Sequence, residues 1–346
     1  METAAQEILT DKTINPVFQR AYNVRGWVNT RAYEIKHEMA LGERKPFDEV
    51  VIHYGDPHAF GQSPITFVRQ CLACLLCPQF LNDPQFPKDV KEKARRILKA
   101  TPGFAISRYT SPLGSQIIRE DVARYISRRD GYPADVDDVI LINGGAIGIQ
   151  IGLASLGTDM PNGKLKPGLM IPIPGFPQYN SRIVEFNLYE IPYYLEEENN
   201  WSFNIGEMKK AIDEARPHCE PRGLVLINPG NPTAHFLTLA SSIAFCGRRI
   251  LGKAYKAPIT SLHVTPSKEF NIAVRNNLNP DGFYCWQLME TTGIVPTPGE
   301  NYGQKEGTYH FRLTILPSEE KIAPMYERLS KFHKEFMDKY KDNKEN

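Results

Sequence analysis

The chain has 346 residues, of which 41% are hydrophobic and 23% charged, with 41 basic residues against 40 acidic ones. This composition excludes a disordered or fibrous chain, and the small net charge disfavours nucleic acid or an anionic membrane as the partner. The length is sufficient for two domains of ordinary size, and the expected ligand is a small molecule.

The first residues, METAAQEILTDKTINP, carry three acidic side chains before Lys12 and lack the apolar run of a secretory leader. No stretch of the sequence approaches the roughly 20 apolar residues of a membrane span. The six cysteines are expected to be free thiols in a reducing compartment. These features predict a cytoplasmic location.

Three cysteines, Cys71, Cys74 and Cys77, have the spacing that begins an iron–sulfur motif. The fourth cysteine of that motif is missing, and the intervening residues are leucine and alanine. The segment is more typical of an apolar helix that begins near Ser63-Pro64, because cysteine is among the most frequently buried residue types. We therefore predict that these thiols pack in a core.

Helix-like and strand-like segments alternate after about residue 86. The spacing of apolar residues predicts helices over 87–100 and 115–131, and Gly131 ends the second. Short apolar runs predict buried parallel strands in DDVILIN (137–143), GLMIPIP (168–174) and GLVLINPG (223–230). Such alternation indicates an α/β sheet with ligands at the carboxyl ends of its strands.

The last 60 or so residues have a different pattern. GTYHFRLTILP (307–317) alternates like a half-exposed strand, and residues 318–340 have the spacing of a long amphipathic helix. This pattern predicts a smaller α+β domain.

The strongest local signal is LINPGNPT (226–233), a buried strand that leads into two Asn-Pro steps. Proline restricts the residue before it, so Asn228 and Asn231 are expected to be held rigidly at the carboxyl end of that strand. An ordinary proline-containing turn is the alternative.

Five segments together resemble those of alanine aminotransferases, which are class I/II enzymes that depend on pyridoxal phosphate (PLP), and they occur in the family's order. They are HYGDPHAFGQSP (53–64), RYTSPLGSQIIREDVARYISRRDGYPAD (108–135), GLMIPIPGFPQYNS (168–181), LINPGNPT, and the region that runs from FYCWQLMETTGI to GENYGQKEGTYHFRLTILP (283–317).

The resemblance implies an α/β fold of fold type I, with a mixed-sheet large domain and a small α+β domain around PLP in a homodimer. We expect residues 1–62 to form an N-terminal arm and part of the small domain, and 266–346 to complete that domain. Residues 63–265 are expected to form the PLP-binding large domain, truncated after about residue 236. The implied substrates are amino acids and 2-oxo acids.

The resemblance also assigns roles on the cofactor side. It makes Asn231 the donor to the cofactor's ring hydroxyl and Tyr109 a phosphate ligand in the partner subunit. Phe176 would stack on the pyridine ring, although core packing is a serious alternative. The turn at Gly145 and Ala146 would cradle the phosphate with backbone amides. It has no serine or threonine, unlike the family's turn.

On the substrate side, the resemblance makes Arg312 the ligand of the substrate carboxylate and places Gly55 near the substrate. A guanidinium suits that role because its planar fork binds carboxylates through two hydrogen bonds. The alternative is an ordinary surface-strand arginine.

The departure with the largest consequence lies between Asn231 and Arg312. The family has further strand–helix units there, with the lysine that binds PLP covalently and an aspartate for the ring nitrogen. Residues 234–282 contain neither motif. Lys253 and Lys256 are weak candidates for that lysine and more typical of solvated surface residues. Arg248 matches a phosphate-binding arginine or belongs to an ordinary helix.

Two hypotheses follow. In the first, the chain transfers the amino group of L-alanine to 2-oxoglutarate, giving pyruvate and L-glutamate. In the second, it is an impaired pseudoenzyme or a splice or gene-model variant that at most binds PLP or dimerises.

Overall fold

The computed structural model describes residues 26–52, 55–157, 165–236, 278–314 and 316–340. The helices are α1 (Gly26–Ala40), α2 (Thr66–Leu76), α3 (Lys88–Lys99), α4 (Gln116–Asp130), α5 (Gly145–Ala154), α6 (Gln178–Glu185), α7 (Ile205–Ala215), α8 (Pro280–Thr292) and α9 (Glu319–Tyr340). The strands are β1 (Val51–Ile52), β2 (Lys166–Ile173), β3 (Tyr189–Glu196), β4 (Ser202–Phe203), β5 (Cys219–Leu224), β6 (Ile294–Val295), β7 (Thr297–Pro298) and β8 (Phe311–Arg312).

The described residues belong to two compact units. The first combines those within 26–55, 149–236 and 278–340, and the second spans residues 56–148. The domain boundaries expected from the sequence stay a prediction. Among the described helices, none is both long and apolar enough to cross a bilayer.

The second unit contains the cysteine segment, which is helical as predicted. Cys71 and Cys74 on α2 pack against Val90, Ala94 and Leu98 of α3, three residues that recur with a period of about one helical turn. Burial raises the pKa of both thiols, which are therefore neutral and unreactive. The packing prediction is confirmed for these two cysteines.

Cys77, by contrast, is half-buried outside that core. The α4 helix also forms where the sequence predicted it. It ends at Gly131, whose φ of 75° allows its N–H to donate to the Ser127 carbonyl over 3.0 Å.

A four-stranded sheet forms the centre of the first unit, in the order β4-β3-β2-β5. The strands β3, β2 and β5 are parallel, and β4 pairs antiparallel with β3 at the edge. Seven of the eight residues of β2 are buried, which is typical of a parallel strand covered on both faces. The mixed sheet agrees with the predicted fold class.

The strand predicted over 137–143 is wrong, and the one predicted over 223–230 is displaced, because only Gly223 and Leu224 of it lie in β5. Residues 139–142 of DDVILIN lie outside any strand, and Ile140 and Ile142 are exposed. A central strand needs neighbouring strands for its N–H and C=O groups, whereas here the Leu141 N–H donates to the carbonyl of Leu113 (3.0 Å), which lies outside any strand. An apolar run predicts burial but does not supply the partners that make it a strand.

A second prediction is correct only in part. The half-exposed strand expected over 307–317 is reduced to the two residues of β8, because its partner β7 is equally short and ends in Pro298, which has no N–H to donate.

The remaining core joins both ends of the chain. Apolar residues of α1 pack with those of α8 and α9, and β1 pairs in parallel with β6. Tyr284 of α8 lies at the centre, with its ring stacked on Phe311 and edge-on to Phe332 and Phe336. The long C-terminal helix is confirmed as α9. This core fixes the position of β8.

Candidate active site

Asn231 lies in the turn that follows β5. Beyond the last strand residue, Leu224, the Val225 N–H donates to the Met170 carbonyl (2.8 Å), and Tyr193 Oη donates to the Val225 carbonyl (2.7 Å). Since β5 and β2 are parallel, the turn lies at the carboxyl edge of the sheet. In open α/β sheets that edge is where ligands bind.

The turn folds back on itself through His235. The Gly230 N–H donates to the His235 carbonyl and the Ala234 N–H to the Gly230 carbonyl, each over 2.9 Å. A Cβ at Gly230 would lie 2.2 Å from His235 Nδ1, so a larger residue there would displace the His235 side chain. Burial lowers the pKa of His235, and a neutral ring 2.6 Å from Thr233 Oγ1 completes the turn. These bonds fix the turn in which Asn231 lies.

Arg312 is the second residue of β8. The preceding residue, Phe311, is buried against Tyr284 in the core, with 5.2 Å between the ring centres. The Gly299 N–H donates to the His310 carbonyl over 2.7 Å, and a Cβ at Gly299 would lie only 2.7 Å from that oxygen. Close packing on both sides of β8 therefore fixes the backbone that carries Arg312.

The structure brings Asn231 and Arg312 into direct contact. Arg312 Nη1 donates to Asn231 Oδ1 over 3.0 Å, although 81 residues separate them. The same nitrogen donates to Tyr302 Oη over 2.9 Å, and the guanidinium carbon lies 5.6 Å from the Tyr302 ring centre. Because the Asn231 oxygen accepts from arginine, its amide nitrogen remains as a donor toward a ligand.

Arg312 also lines a small cavity that opens to solvent. Polar groups of Thr233, Gln304 and His310 share its wall with the apolar surfaces of Pro174 and Trp201. A small apolar-walled cleft with one guanidinium suits an organic acid of a few carbon atoms. A second cavity, lined by Asn231, adjoins it through Pro174 and Thr233.

A chain of partly buried hydrogen bonds leads from Asp281 to two residues of the cavity wall, Gln304 and His310. Asp281 Oδ2 accepts from the Glu300 N–H (2.7 Å) and from Gln304 Nε2 (3.3 Å). Gln304 Oε1 lies 3.2 Å from His310 Nδ1, and His310 Nε2 lies 3.2 Å from both carboxylate oxygens of Glu197. Burial raises the pKa of Asp281 and of Glu300. These residues hold Gln304 and His310 in place.

Neither this chain of hydrogen bonds nor the contact of Tyr302 with Arg312 was predicted from the sequence. The one available signal was the alternation of GTYHFRLTILP, which places His310 and Arg312 on the same face of a strand. Nothing in the sequence indicated Glu197 or Asp281.

The other predicted site residues lie elsewhere. Phe176 is half-buried, with its ring edge-on to Tyr179 at 6.4 Å, and does not line either cavity. Gly55 is exposed in the first unit. In the second unit, Tyr109 is fully exposed, and Gly145 and Ala146 form the exposed first turn of α5. Their proposed contacts with PLP and substrate stay predictions.

Three further candidates, Arg248, Lys253 and Lys256, lie outside the described residues. Among the described residues that line the two cavities, there is no lysine and no aspartate.

Comparison of the chain with known proteins identifies its family. The model for aminotransferase class I and II matches residues 78–242. Alanine aminotransferase 1 of Bos taurus is 32% identical in an alignment that covers 97% of this chain and 96% of the bovine protein. The chain belongs to the class I and II aminotransferase family. Alanine aminotransferase 2 of Xenopus laevis is also 32% identical, with 96% of this chain and 88% of that protein covered.

Solved structures of aminotransferases have the same fold. Alanine aminotransferase from Pyrococcus furiosus aligns over 91% of this chain and 97% of its own, with a TM-score of 0.62 and 14% identity. An aminotransferase from Escherichia coli gives a TM-score of 0.59, also at 14% identity, over 92% of this chain and 97% of its own. These neighbours confirm the predicted α/β class with a mixed sheet.

Proposed function

We propose that this aminotransferase-family chain transfers the amino group of L-alanine to 2-oxoglutarate, giving pyruvate and L-glutamate, with PLP as its cofactor. The observation that supports it most directly is the contact between Arg312, which lines the first cavity, and Asn231, which lines the adjoining one. The relatives named above are alanine aminotransferases, which favours alanine as the amino donor.

The described residues fit two of the functions that PLP chemistry requires. Among the described residues nothing accepts from the Asn231 amide nitrogen, which can donate to the ring hydroxyl, and Arg312 has a guanidinium for the substrate carboxylate. PLP, when bound, supplies an electron sink that weakens the bonds at the α-carbon of the amino acid. Arg312 would bind and orient the substrate, and the apolar walls formed by Pro174 and Trp201 would exclude water.

In this family a lysine transfers the proton at the α-carbon, and no lysine is among the described residues that line the two cavities. Lys253 and Lys256 are the candidates within 237–277. The alignment with the bovine relative runs over 480 positions, more than the 346 residues of this chain, so part of that relative has no counterpart here. This supports our proposal that a segment of the family's large domain is missing between Asn231 and Arg312.

One experiment tests the whole proposal. The purified chain is incubated with PLP and reduced with borohydride, and peptides are searched by mass spectrometry for a phosphopyridoxyl group. A stoichiometric label on Lys253 or Lys256, lost in the Lys→Ala variant of the labelled residue, together with alanine-dependent pyruvate formation, would support the activity. The absence of both a label and pyruvate would contradict it and favour the pseudoenzyme.

We also propose a homodimer in the cytoplasm, in which Tyr109 reaches the phosphate of the partner's cofactor. Its complete exposure leaves the side chain available to a second copy. Light scattering measures the mass, and Tyr109→Phe should weaken PLP binding in the dimer without changing that mass. A monomer that binds PLP equally well with either residue would contradict this arrangement.

A further inference from the structure

Tyr302 has a fixed place beside the cavity. It ends the short helical turn Gly299–Tyr302 that joins β7 to the chain leading into β8, and only 8% of it is exposed. Its carbonyl accepts from the Gly175 N–H over 2.8 Å, just beyond β2. At the next residue, Gly303, φ is 70° and a Cβ would lie 3.2 Å from the Ile173 side chain. The phenol ring therefore has little freedom to move.

The hydrogen bonds of Arg312 indicate the role of the Tyr302 hydroxyl. A guanidinium has five N–H donors, two of them on Nη1. Nη1 donates to Asn231 Oδ1 and to Tyr302 Oη, so both of its hydrogens are in use. Among the described residues, no acceptor is recorded for Nε or Nη2 of Arg312. These two nitrogens form the side-on fork that binds a carboxylate through two parallel hydrogen bonds.

We propose that Tyr302 is a positioning residue for the substrate carboxylate. Its hydroxyl and the Asn231 oxygen occupy both hydrogens of Nη1, and its ring lies against the guanidinium. The plane of the guanidinium is therefore set from two sides, and the Nε–Nη2 fork is the part left for substrate. This inference rests on the proposed function, because it assumes that Arg312 binds the carboxylate.

Tyr302→Phe isolates the hydroxyl. The variant keeps the ring, its packing and its contact with the guanidinium, and it removes one acceptor from a charged donor. A hydrogen bond to a charged group has a net value that corresponds to roughly 10-fold or more in binding. Tyr189→Phe is the matched control, since Tyr189 is a partly buried tyrosine at the start of β3 in the same unit and lines a different cavity.

Calorimetric titration of the PLP-treated chain with pyruvate and with pyruvamide, which lacks the carboxylate, provides the test. We expect Tyr302→Phe to weaken pyruvate binding by about 10-fold. Pyruvamide binding should be equal in the parent, in Tyr302→Phe and in Tyr189→Phe. If transamination is measurable, KM for L-alanine should rise while kcat changes by less than about 2-fold, since the lost interaction is made equally in the bound and the reacting state.

The outcomes separate the two proposals. If the parent does not bind pyruvate, or if Arg312→Ala binds it as the parent does, the proposed function and the role of Tyr302 both fail. If Arg312→Ala abolishes binding while Tyr302→Phe leaves it unchanged, only the role of Tyr302 is wrong. If Tyr302→Phe weakens pyruvate and pyruvamide alike, Tyr302 supports the fold and does not position the carboxylate.

Discussion

The two compact units differ in how their candidate functional residues are supported. In the first, Arg312 contacts a residue 81 positions away, and His310 contacts Glu197, 113 positions away. In the second, Tyr109 and Gly145 are exposed at the surface. Under the proposed function, ligand binding in the first unit would depend on Arg312 and Asn231, which non-local contacts hold. In the second unit it would depend on single side chains and backbone amides at exposed positions.

If this contrast is correct, substitution of Arg312 should weaken ligand binding more than any other change proposed here. Arg312→Ala deprives the cavity of its guanidinium, and loss of one partner of a hydrogen-bonded charge pair costs about 2 kcal/mol or more, which is roughly 30-fold in binding. Pyruvate titration by calorimetry measures this. Arg222→Ala, at an exposed position of β5 in the same unit, should bind pyruvate like the parent. Equal binding by Arg312→Ala and Arg222→Ala would contradict the assignment.

Substitution of one glycine in each unit tests how tightly the surrounding residues are packed. At Gly299 a Cβ would lie 2.7 Å from the His310 carbonyl oxygen, whereas at Gly145 nothing lies within 4 Å. Gly299→Ala should therefore lower the free energy of unfolding by about 1–3 kcal/mol, as overpacking does. Gly145→Ala, in a helix, should raise it by roughly 0.5–1 kcal/mol. Urea denaturation of both variants checks this, and equal changes would show that β8 is not tightly packed.

Removal of the Asp281 carboxylate, which begins the chain of hydrogen bonds beside the cavity, should lower stability by a comparable amount. Asp281→Ala leaves the Glu300 N–H without its acceptor, which costs about 1–3 kcal/mol of stability, and Asp281→Asn should cost less because it retains an oxygen. Denaturant unfolding at pH 7 measures both. A larger loss for the asparagine variant would show that the negative charge is required.

The pKa shift of Asp281 determines the direction in which its contribution to stability changes with pH. Since burial raises the pKa of Asp281, the folded chain binds this proton more tightly than the unfolded chain. Its contribution to stability is complete below the ordinary pKa of aspartate and decreases as pH rises through the folded pKa. Unfolding of the parent and of Asp281→Asn across this range should differ in slope, and parallel curves would contradict the sign.

The sequence predicted the helices best. The 3.6-residue spacing is a local property, so α3, α4 and α9 form where it indicated. The strand in 139–142 was wrong because a strand also needs neighbours, which an apolar run does not specify. Asn231 and Arg312 were found through resemblance, whereas Tyr302 and Asp281 act through contacts that only the folded chain creates.

The smallest predicted effect concerns acid stability, and it occurs in both units. Hydrogen bonds from Arg31 and Lys45 lower the pKa of Glu38 to about 2 in the first unit. In the second, Lys93 is the main cause of a lowered pKa for Asp121. A lowered pKa means that the carboxylate stabilises the fold above its ordinary pKa and that this contribution is lost as pH falls toward the folded value.

The free energy of unfolding decreases as pH falls. This decrease should be smaller in Glu38→Gln and in Asp121→Asn than in the parent chain. The effects should be modest, because these ion pairs lie at or near the surface, and added salt should reduce them further. Since the two carboxylates share no recorded partner, the double variant should show the sum of the single effects. Urea titrations between about pH 2 and pH 5 measure the slopes. A Glu38→Gln variant as acid-sensitive as the parent would show that the bonds to Arg31 and Lys45 do not stabilise the folded chain in solution.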